Sequence, residues 1–163
     1  IVPVLQAMGA DIQYNPATEA VRVHGGKPLR AVEFDGDQAT DAVMAMVAAA
    51  CVAQGTSRFY NIENLRYKES DRISDYCREL ARLGAGVEET QDSIIVHGKP
   101  EGLAGGTSID AHHDHRVLMG AAIAAMRCVE PVQLLEAQHI AKSYPGFFTD
   151  LQVLGAHVQI DQA

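Results

Sequence analysis

The chain has 163 residues, 47% of them hydrophobic and 21% charged, which is typical of a soluble globular domain with a sizeable core. Its net charge of −8 argues against a general binder of nucleic acid or membrane surfaces, because such proteins need a basic surface. No apolar run approaches the roughly 18 residues of a membrane span, so we expect a protein that does not cross a membrane.

A motif of the form Leu-x-x-Leu/Met-Gly-Ala occurs three times along the chain. Its glycines are Gly9, Gly84 and Gly155, which follow one another at nearly equal spacing. Each copy is typical of a helix that ends at a glycine and leads directly into a strand. After the first two copies, the sequence predicts hairpins that pair residues 12–14 with 20–24 and residues 87–89 with 93–97.

Two segments, residues 41–53 and 114–126, have a helical pattern and are apolar nearly all the way round. A helix without a polar face is buried on every side. A short strand is predicted before each helix, at 32–34 and 107–109, and another after each, at 56–62 and 131–135. Each second strand leads to a lysine loop and a further helix, so the two lysines, Lys68 and Lys142, occupy equivalent positions.

The first lysine loop, NLRYKESDR at residues 64–72, alternates cations with carboxylates. It is followed by apolar residues at three- and four-residue spacing, which predict an amphipathic helix over residues 73–83. Ser70 is a suitable N-cap, and Asp71 suits the first turn. The loop is therefore predicted to lie at the positive end of a helix, a place that favours anions.

These elements form a repeating unit of strand, buried helix, strand, amphipathic helix, strand and strand. Residues 32–97 and 107–160 make two units, and residues 1–24 make the tail of an earlier one. Segments 25–28 and 100–106, rich in glycine and proline, are predicted loops between units. We predict one α/β domain over residues 1–163, in which sheets surround the buried helices.

In a repeat fold, equivalent loops lie on the same rim, so charged residues of four loops are expected to share one face. They are Asp41, Lys68, Glu69, Arg72, His115, Arg116 and Lys142. Several cations suit a multiply anionic small molecule, and the carboxylates suit proton transfer.

The segment RYKESDR, with the helix ending ELARLGAGVEE, resembles the RxKESDR segment of the EPSP synthase (5-enolpyruvylshikimate-3-phosphate synthase) family. ATDAVM, IDAHHDHRVLM and IAKSYPGFF resemble three further segments of that family, in the same order, over residues 3–160. The resemblance implies an inside-out α/β barrel of βαβαββ repeats, the α-β prism of enolpyruvate transferases.

The resemblance also implies a reaction of aromatic amino-acid biosynthesis that needs no metal or other cofactor. The enolpyruvyl group of phosphoenolpyruvate passes to the 5-hydroxyl of shikimate 3-phosphate, and phosphate is released. By resemblance, Asp41 takes the hydroxyl proton and Glu69 donates a proton to the phosphoenolpyruvate methylene. The residues expected to contact shikimate 3-phosphate are Asp41, Asn64 and Lys68. Those expected to contact phosphoenolpyruvate are Arg72, Arg116, Lys142 and His115.

The family's enzyme is longer and has two domains of this repeat. The chain begins Ile1-Val2-Pro3 without Met, which suggests a piece of a longer protein. From the resemblance we interpret it as most of the C-terminal domain, inactive without the N-terminal domain. We expect a monomer in the cytoplasm. Cys51, Cys77 and Cys128, odd in number and without CxxC spacing, are expected to be buried free thiols there.

Other interpretations stay open at this point. The charged loop is also compatible with an ordinary solvated helix start, with an enolpyruvyl transferase that uses another acceptor, or with a non-catalytic anion-binding domain. The presence of both Asp41 and Glu69 favours catalysis, because anion binding alone does not need carboxylates. For His112, His113 and His115 we expect no metal, since adjacent histidines seldom form a closed tetrahedral site.

Overall fold

The computed structural model describes residues 1–160. Its α-helices are α1 (Val2–Ala7), α2 (Val43–Ala50), α3 (Arg72–Arg82), α4 (His115–Ala125) and α5 (Phe147–Val153). Its strands are β1 (Asp11–Asn15), β2 (Ala20–His24), β3 (Glu33–Asp35), β4 (Thr56–Tyr60), β5 (Gly86–Glu89), β6 (Ile94–His97), β7 (Leu103–Gly105), β8 (Ser108–Ile109), β9 (Cys128–Glu130) and β10 (Gln133–Leu134). Short 3-10 helices span Gly36–Gln38, Thr40–Ala42, Glu63–Tyr67 and Ala137–Lys142.

The sheet register repeats along the chain. Strand β3 pairs with β4 in parallel, with Phe34 opposite Phe59. Strand β8 pairs with β10 in parallel, with Ser108 opposite Gln133, so the two pairs occupy equivalent positions in successive units. Each parallel pair is connected through one apolar helix, α2 in the first case and α4 in the second. The same arrangement, a parallel strand pair with an apolar helix between its strands, therefore occurs twice along the chain.

The four sheets remain separate among the described residues. One has four strands in the order β3-β4-β6-β5, and the others are the pairs β1-β2, β7-β9 and β8-β10. The predicted mixture of helices and strands is confirmed. Residues 1–160 form no closed barrel. None of their helices has the length and apolar character needed to cross a membrane.

The two apolar helices form the centre of the core. Residues Val43, Met46 and Val47 of α2 are fully buried, as are Val117 and Ala121 of α4.

The amphipathic helix α3 closes over this pair of helices. The Tyr76 hydroxyl donates to the carbonyl oxygen of Met44 at 3.0 Å. A Cβ atom on Gly120 would lie only 2.5 Å from that hydroxyl oxygen, so glycine is needed where α3 meets α4. Burial of α2 and α4, predicted from their missing polar faces, is confirmed.

Both predicted hairpins form, as the antiparallel pairs β1-β2 and β5-β6. The helices before them end at Gly9 and Gly84, which have φ of +97° and +90°. Gly155 has the same left-handed backbone after α5, but residues 156–160 are not a strand, so that prediction is wrong. In the first two copies the strand is stabilised by the second strand of its hairpin, whereas no second strand follows within the described part of the third copy.

Three local predictions need correction. Helix α3 begins at Arg72, and its N-cap is Asp71 instead of Ser70, because the Asp71 carboxylate accepts from the Ser74 N–H at 3.1 Å. Part of the predicted loop 64–72 is the 3-10 helix Glu63–Tyr67. The strand predicted at 131–135 is reduced to β10, because Pro131 lacks an N–H and separates it from β9.

Strand β7 lies in the segment 100–106 that was predicted to be a loop. Its residues have weak strand propensity, so only pairing with β9 reveals the strand. Gly105 permits that pairing, since a Cβ atom there would lie 2.3 Å from the carbonyl oxygen of Glu130.

Candidate functional site

The loop at residues 113–116 contacts all three other loops that were predicted to carry the site. The side chain of Arg116 reaches Asp41, and that of Asp114 reaches Arg72. The carbonyl oxygen of His113 accepts from Lys142. Four loops that are distant in sequence therefore meet at the N-terminal end of α4.

Asp114 is the anchor of this arrangement. Its side chain is fully buried, and its Oδ1 accepts from the backbone N–H groups of Arg116 and Val117, so it caps α4. Its Oδ2 accepts from Arg72 Nε at 2.7 Å and from the Ser70 hydroxyl at 3.4 Å. Burial alone would raise the pKa of Asp114, but the bonds from Arg72 and from the backbone outweigh it and hold that pKa below its usual value.

Arg72 connects Asp114 to Glu69. Its side chain is only 2% exposed, and its Nη2 contacts Glu69 Oε2 at 2.5 Å. Glu69 is 41% exposed, so its carboxylate lies where a buried ion pair meets solvent. A carboxylate held in this way has a fixed position and remains accessible to a ligand.

Asp41 and Arg116 form a second, more exposed pair on the same rim. Arg116 Nη2 lies 2.9 Å from Asp41 Oδ2, and Arg116 Nη1 donates to the Asp41 carbonyl oxygen at 3.0 Å. The Asp41 side chain is 68% exposed and that of Arg116 is 29% exposed. The backbone contact can keep the guanidinium in place when its contact with the carboxylate is exchanged for a ligand.

Lys142 lies at the end of the 3-10 helix Ala137–Lys142 and is exposed. Its Nζ donates to the His113 carbonyl oxygen at 3.0 Å. Near it, His113, Glu136 and His139 bring three possible metal ligands together. The prediction that His112, His113 and His115 bind no metal considered neighbouring histidines and did not consider Glu136 and His139, which contact His113.

Asn64 and Lys68 are not brought into this network. Both are exposed, and their side chains make no hydrogen bond or ion pair with other residues of the described chain. Their loop is instead held by Arg66. Arg66 Nη1 contacts Asp71 Oδ2 at 2.8 Å, and Arg66 Nη2 contacts Glu89 Oε2 at 3.0 Å.

His115 begins α4 and is 7% exposed. Its Nδ1 is the one buried side-chain nitrogen or oxygen without a hydrogen-bond partner among the described residues. A buried, unpaired ring nitrogen is unfavourable for stability, so it is a feature that a bound polar group would relieve.

The expected anion site at the N-terminus of α3 does not form in the way we predicted. Asp71 caps that end with its own carboxylate, as Asp114 does for α4. Both carboxylates occupy the position that a ligand anion would need. Exposed cations of the rim, and not helix termini, are therefore the groups available to an anion.

Most of these residues are predicted from the sequence, but the positioning roles of Asp114 and Arg66 are not. Asp114 had a usable signal, since it directly precedes an apolar helix and so is a candidate N-cap. Nothing in the local sequence indicates that Arg66 reaches Glu89 and the Gln91 carbonyl oxygen, because those contacts depend on where the β5-β6 hairpin lies.

Comparison with known proteins identifies relatives over nearly the whole chain. A family model described as EPSP synthase (3-phosphoshikimate 1-carboxyvinyltransferase) matches residues 1–151. The 3-phosphoshikimate 1-carboxyvinyltransferase of Deinococcus radiodurans is 48% identical over 162 residues, which cover 99% of this chain and 36% of the relative. The enzyme of that name from Burkholderia pseudomallei is 46% identical over 138 residues, which cover 85% of this chain and 31% of the relative.

Solved structures also match nearly the whole chain. An EPSP synthase from Acinetobacter baumannii has a TM-score of 0.89 at 29% identity, over 99% of this chain and 40% of that one. The enolpyruvyl transferase NikO from Streptomyces tendae has a TM-score of 0.78 at 23% identity, over 97% and 35%, and shares the fold. The chain spans about a third of the length of the curated relatives it matches.

Proposed function

Because this chain belongs to the EPSP synthase family, we propose that it supplies one part of the active site of an enolpyruvyl transferase. In the proposed reaction, the enolpyruvyl group of phosphoenolpyruvate is transferred to the 5-hydroxyl of shikimate 3-phosphate and phosphate is released. The observation that carries the proposal is the convergence of four charged loops on residues 113–116. Both proposed substrates carry several negative charges, which suit the exposed cations of this rim.

Asp41 acts as the general base for the 5-hydroxyl in this proposal. Its exposed carboxylate is held by Arg116 and reachable by a substrate hydroxyl. When phosphoenolpyruvate binds Arg116, the Arg116–Asp41 side-chain contact is exchanged, which leaves the carboxylate free to accept a proton. The bond from Arg116 to the Asp41 carbonyl oxygen keeps the two residues together.

Glu69 acts as the proton donor to the methylene of phosphoenolpyruvate. Arg72 fixes its position through Nη2, and in this proposal it contacts phosphoenolpyruvate where this ion pair meets solvent, beside the 41% exposed Glu69. Lys142 and Arg116 hold the phosphate and carboxylate from the exposed side and stabilise the charge that develops on them during the reaction. His115 lies next to Arg116, and in this proposal its buried, unpaired Nδ1 gains a hydrogen-bond partner when the same ligand binds.

Asn64 and Lys68 contact shikimate 3-phosphate in this proposal. Neither side chain has a partner in the described residues, so neither must break a hydrogen bond or ion pair before it binds. The contacts of Arg66 with Asp71 and Glu89 support the loop that presents them.

We also propose that the chain is most of the C-terminal domain of a two-domain enzyme, in which βαβαββ repeats form an inside-out α/β barrel. The chain matches only about a third of its relatives' length, which supports a site completed by the remainder. Within this proposal the chain alone does not turn over substrate, because half a site cannot preorganise the transition state. In this proposal the two-domain enzyme is a cytoplasmic monomer that needs no cofactor.

The test of the binding half of this proposal is an amide-resolved NMR titration of this chain with shikimate 3-phosphate and then with phosphoenolpyruvate. We expect saturable shifts near Asn64 and Lys68 for the first ligand and near Arg116 and Lys142 for the second. Lys68→Gln should weaken the first ligand at least about tenfold, as expected when a charge-assisted contact is lost. The matched control is Lys27→Gln, which removes an exposed lysine paired with Asp11 on another part of the chain.

Saturable shifts confined to other surfaces would contradict the site assignment. Equal weakening by Lys68→Gln and Lys27→Gln would show that only net charge matters. Binding of inorganic phosphate as tight as that of shikimate 3-phosphate would favour the non-catalytic anion-binding domain.

A further inference from the structure

Two histidines and a glutamate converge on the rim beside α4, outside the proposed contacts to substrate. His113 directly precedes Asp114, whereas Glu136 is the N-cap of the 3-10 helix Ala137–Lys142 and His139 lies within that helix. His113 Nδ1 lies 3.0 Å from His139 Nε2 and 3.2 Å from Glu136 Oε2. The third side of the triangle, from His139 Nε2 to Glu136 Oε2, is 3.8 Å.

This triangle has the size of one face of a tetrahedral metal site. Zinc binds imidazole nitrogen and carboxylate oxygen at about 2.0–2.2 Å, so two ligands of a tetrahedron lie about 3.3–3.6 Å apart. The three observed separations of 3.0, 3.2 and 3.8 Å bracket that value. Shifts of a few tenths of an ångström would bring each atom to bonding distance of a common ion.

The chemistry of the three atoms also favours a cation between them. Two imidazole nitrogens and a carboxylate oxygen form the same set of protein ligands that open zinc sites use. A divalent ion accepts a lone pair from all three atoms.

The cluster is held in place before any ion binds. The backbone N–H of His113 donates to Glu136 Oε2 at 3.3 Å, and the backbone carbonyl oxygen of His113 accepts from Lys142. The two imidazole rings meet edge to face, with centroids 5.0 Å apart. His139 is 22% exposed and Glu136 is 31% exposed, whereas His113 is 72% exposed, so one side of the cluster is open to water.

We propose that His113, Glu136 and His139 bind a divalent transition-metal ion of the zinc class, with one coordination position left open to solvent. The ligand set argues against Mg²⁺ and Ca²⁺, which prefer oxygen ligands throughout. The site does not depend on the enolpyruvyl transfer proposed above.

The experiment is calorimetric titration of Zn²⁺ into this chain after treatment with a chelator, together with titration of Co²⁺ followed by its visible absorption. We expect one equivalent to bind. His139→Gln and Glu136→Gln should each weaken Zn²⁺ binding at least about tenfold, since each removes one of three ligands. Cobalt bound at the site should show the strong visible bands of a low-coordinate ion, and these should be lost in both variants.

The matched control is His97→Gln. His97 Nε2 lies 2.9 Å from Glu88 in an exposed pair that has no third ligand in the described part of the chain. Its substitution should change the Zn²⁺ affinity less than about twofold. Equal losses in His97→Gln and His139→Gln, or unchanged affinity in His139→Gln with circular dichroism intact, would overturn the proposal. So would the absence of binding at about 0.1 mM Zn²⁺.

Discussion

Replacing Arg72 with Met tests the buried charge network beneath the rim. Arg72 is 2% exposed and its partner Asp114 is fully buried, so the substitution leaves a carboxylate without its counter-ion inside the protein. Breaking such a pair from one side typically costs about 3–5 kcal/mol. Asp114 keeps its bonds from Ser70 and from two backbone N–H groups, so we expect a loss of about 3 kcal/mol, at the lower end.

The assay is urea denaturation at pH 7, followed by circular dichroism, with the free energy of unfolding extrapolated to water. The matched control is Arg78→Met on the same helix. Arg78 is 57% exposed and pairs with Asp75, so its loss should cost less than about 0.5 kcal/mol. In the double variant Arg72→Met/Asp114→Asn, removal of the charge should recover about 1.5 kcal/mol or more. If Arg72→Met costs no more than Arg78→Met, the proposed anchoring role of this pair is wrong.

Three further predictions concern stability and reactivity. First, the pKa of Asp114 is lowered in the folded state despite its burial. The ionised Asp114 therefore contributes its full stabilisation at pH values above its unfolded pKa of about 3.9, and this stabilisation is lost as the pH falls through its lower folded pKa. The free energy of unfolding should therefore fall below about pH 4, less steeply in Asp114→Asn, and equal slopes would contradict this. Second, burial raises the pKa of Cys51 and of Cys77 to about 12, so a thiol reagent at pH 8 should label the less buried Cys128 first. Mass spectrometry of the labelled chain measures the order, and faster labelling of Cys51 would contradict it. Third, a Cβ atom at Gly98 would lie 1.9 Å from the Ala53 carbonyl oxygen, so Gly98→Ala should lower the free energy of unfolding by about 2 kcal/mol or more. Gly25→Ala, where nothing lies within 4 Å, is the control, and equal effects in a thermal melt would refute the packing argument.

The sequence predicts those parts of the fold that local pattern determines. Helices α2 and α4 lack a polar face, and both are buried as that pattern requires. The glycine after α1 and the glycine after α3 both lead into hairpins, since a left-handed residue ends the helix and redirects the chain. These features depend on a few neighbouring residues, which is why they can be recognised without tertiary information.

Features that depend on partners distant in the sequence cannot be predicted from local sequence patterns. Strand β7 has little strand propensity and exists through its pairing with β9, which follows only after the whole of α4. Asp71 competes with Ser70 for the helix cap, and the choice is coupled to Arg66, which binds Asp71 and the distant Glu89. Propensity favours both caps equally, so only the tertiary contacts decide between them.

The candidate site, too, has features that the sequence predicts and features that depend on distant partners. The sequence predicts that charged residues of four loops share one rim, and the contacts of Arg72, Arg116 and Lys142 with residues 113–116 bring their loops together, whereas Lys68 stays outside that network. The sequence does not indicate that Arg72 is buried while Lys68 is exposed. That difference arises because Arg72 donates a hydrogen bond to the buried carboxylate of Asp114, which caps the N-terminus of α4.

The most direct test of the proposed function is turnover by a chimera in which this chain replaces the matching segment of its Deinococcus radiodurans relative, to which it is 48% identical. Phosphate release would be measured with phosphoenolpyruvate and shikimate 3-phosphate together and with each alone. The account predicts release only with both substrates, with Asp41→Asn and Glu69→Gln each at least about 100-fold slower, as expected for lost proton transfer, and Lys27→Gln unchanged. A folded chimera that binds both substrates without releasing phosphate, or full turnover by both carboxylate variants, would contradict it.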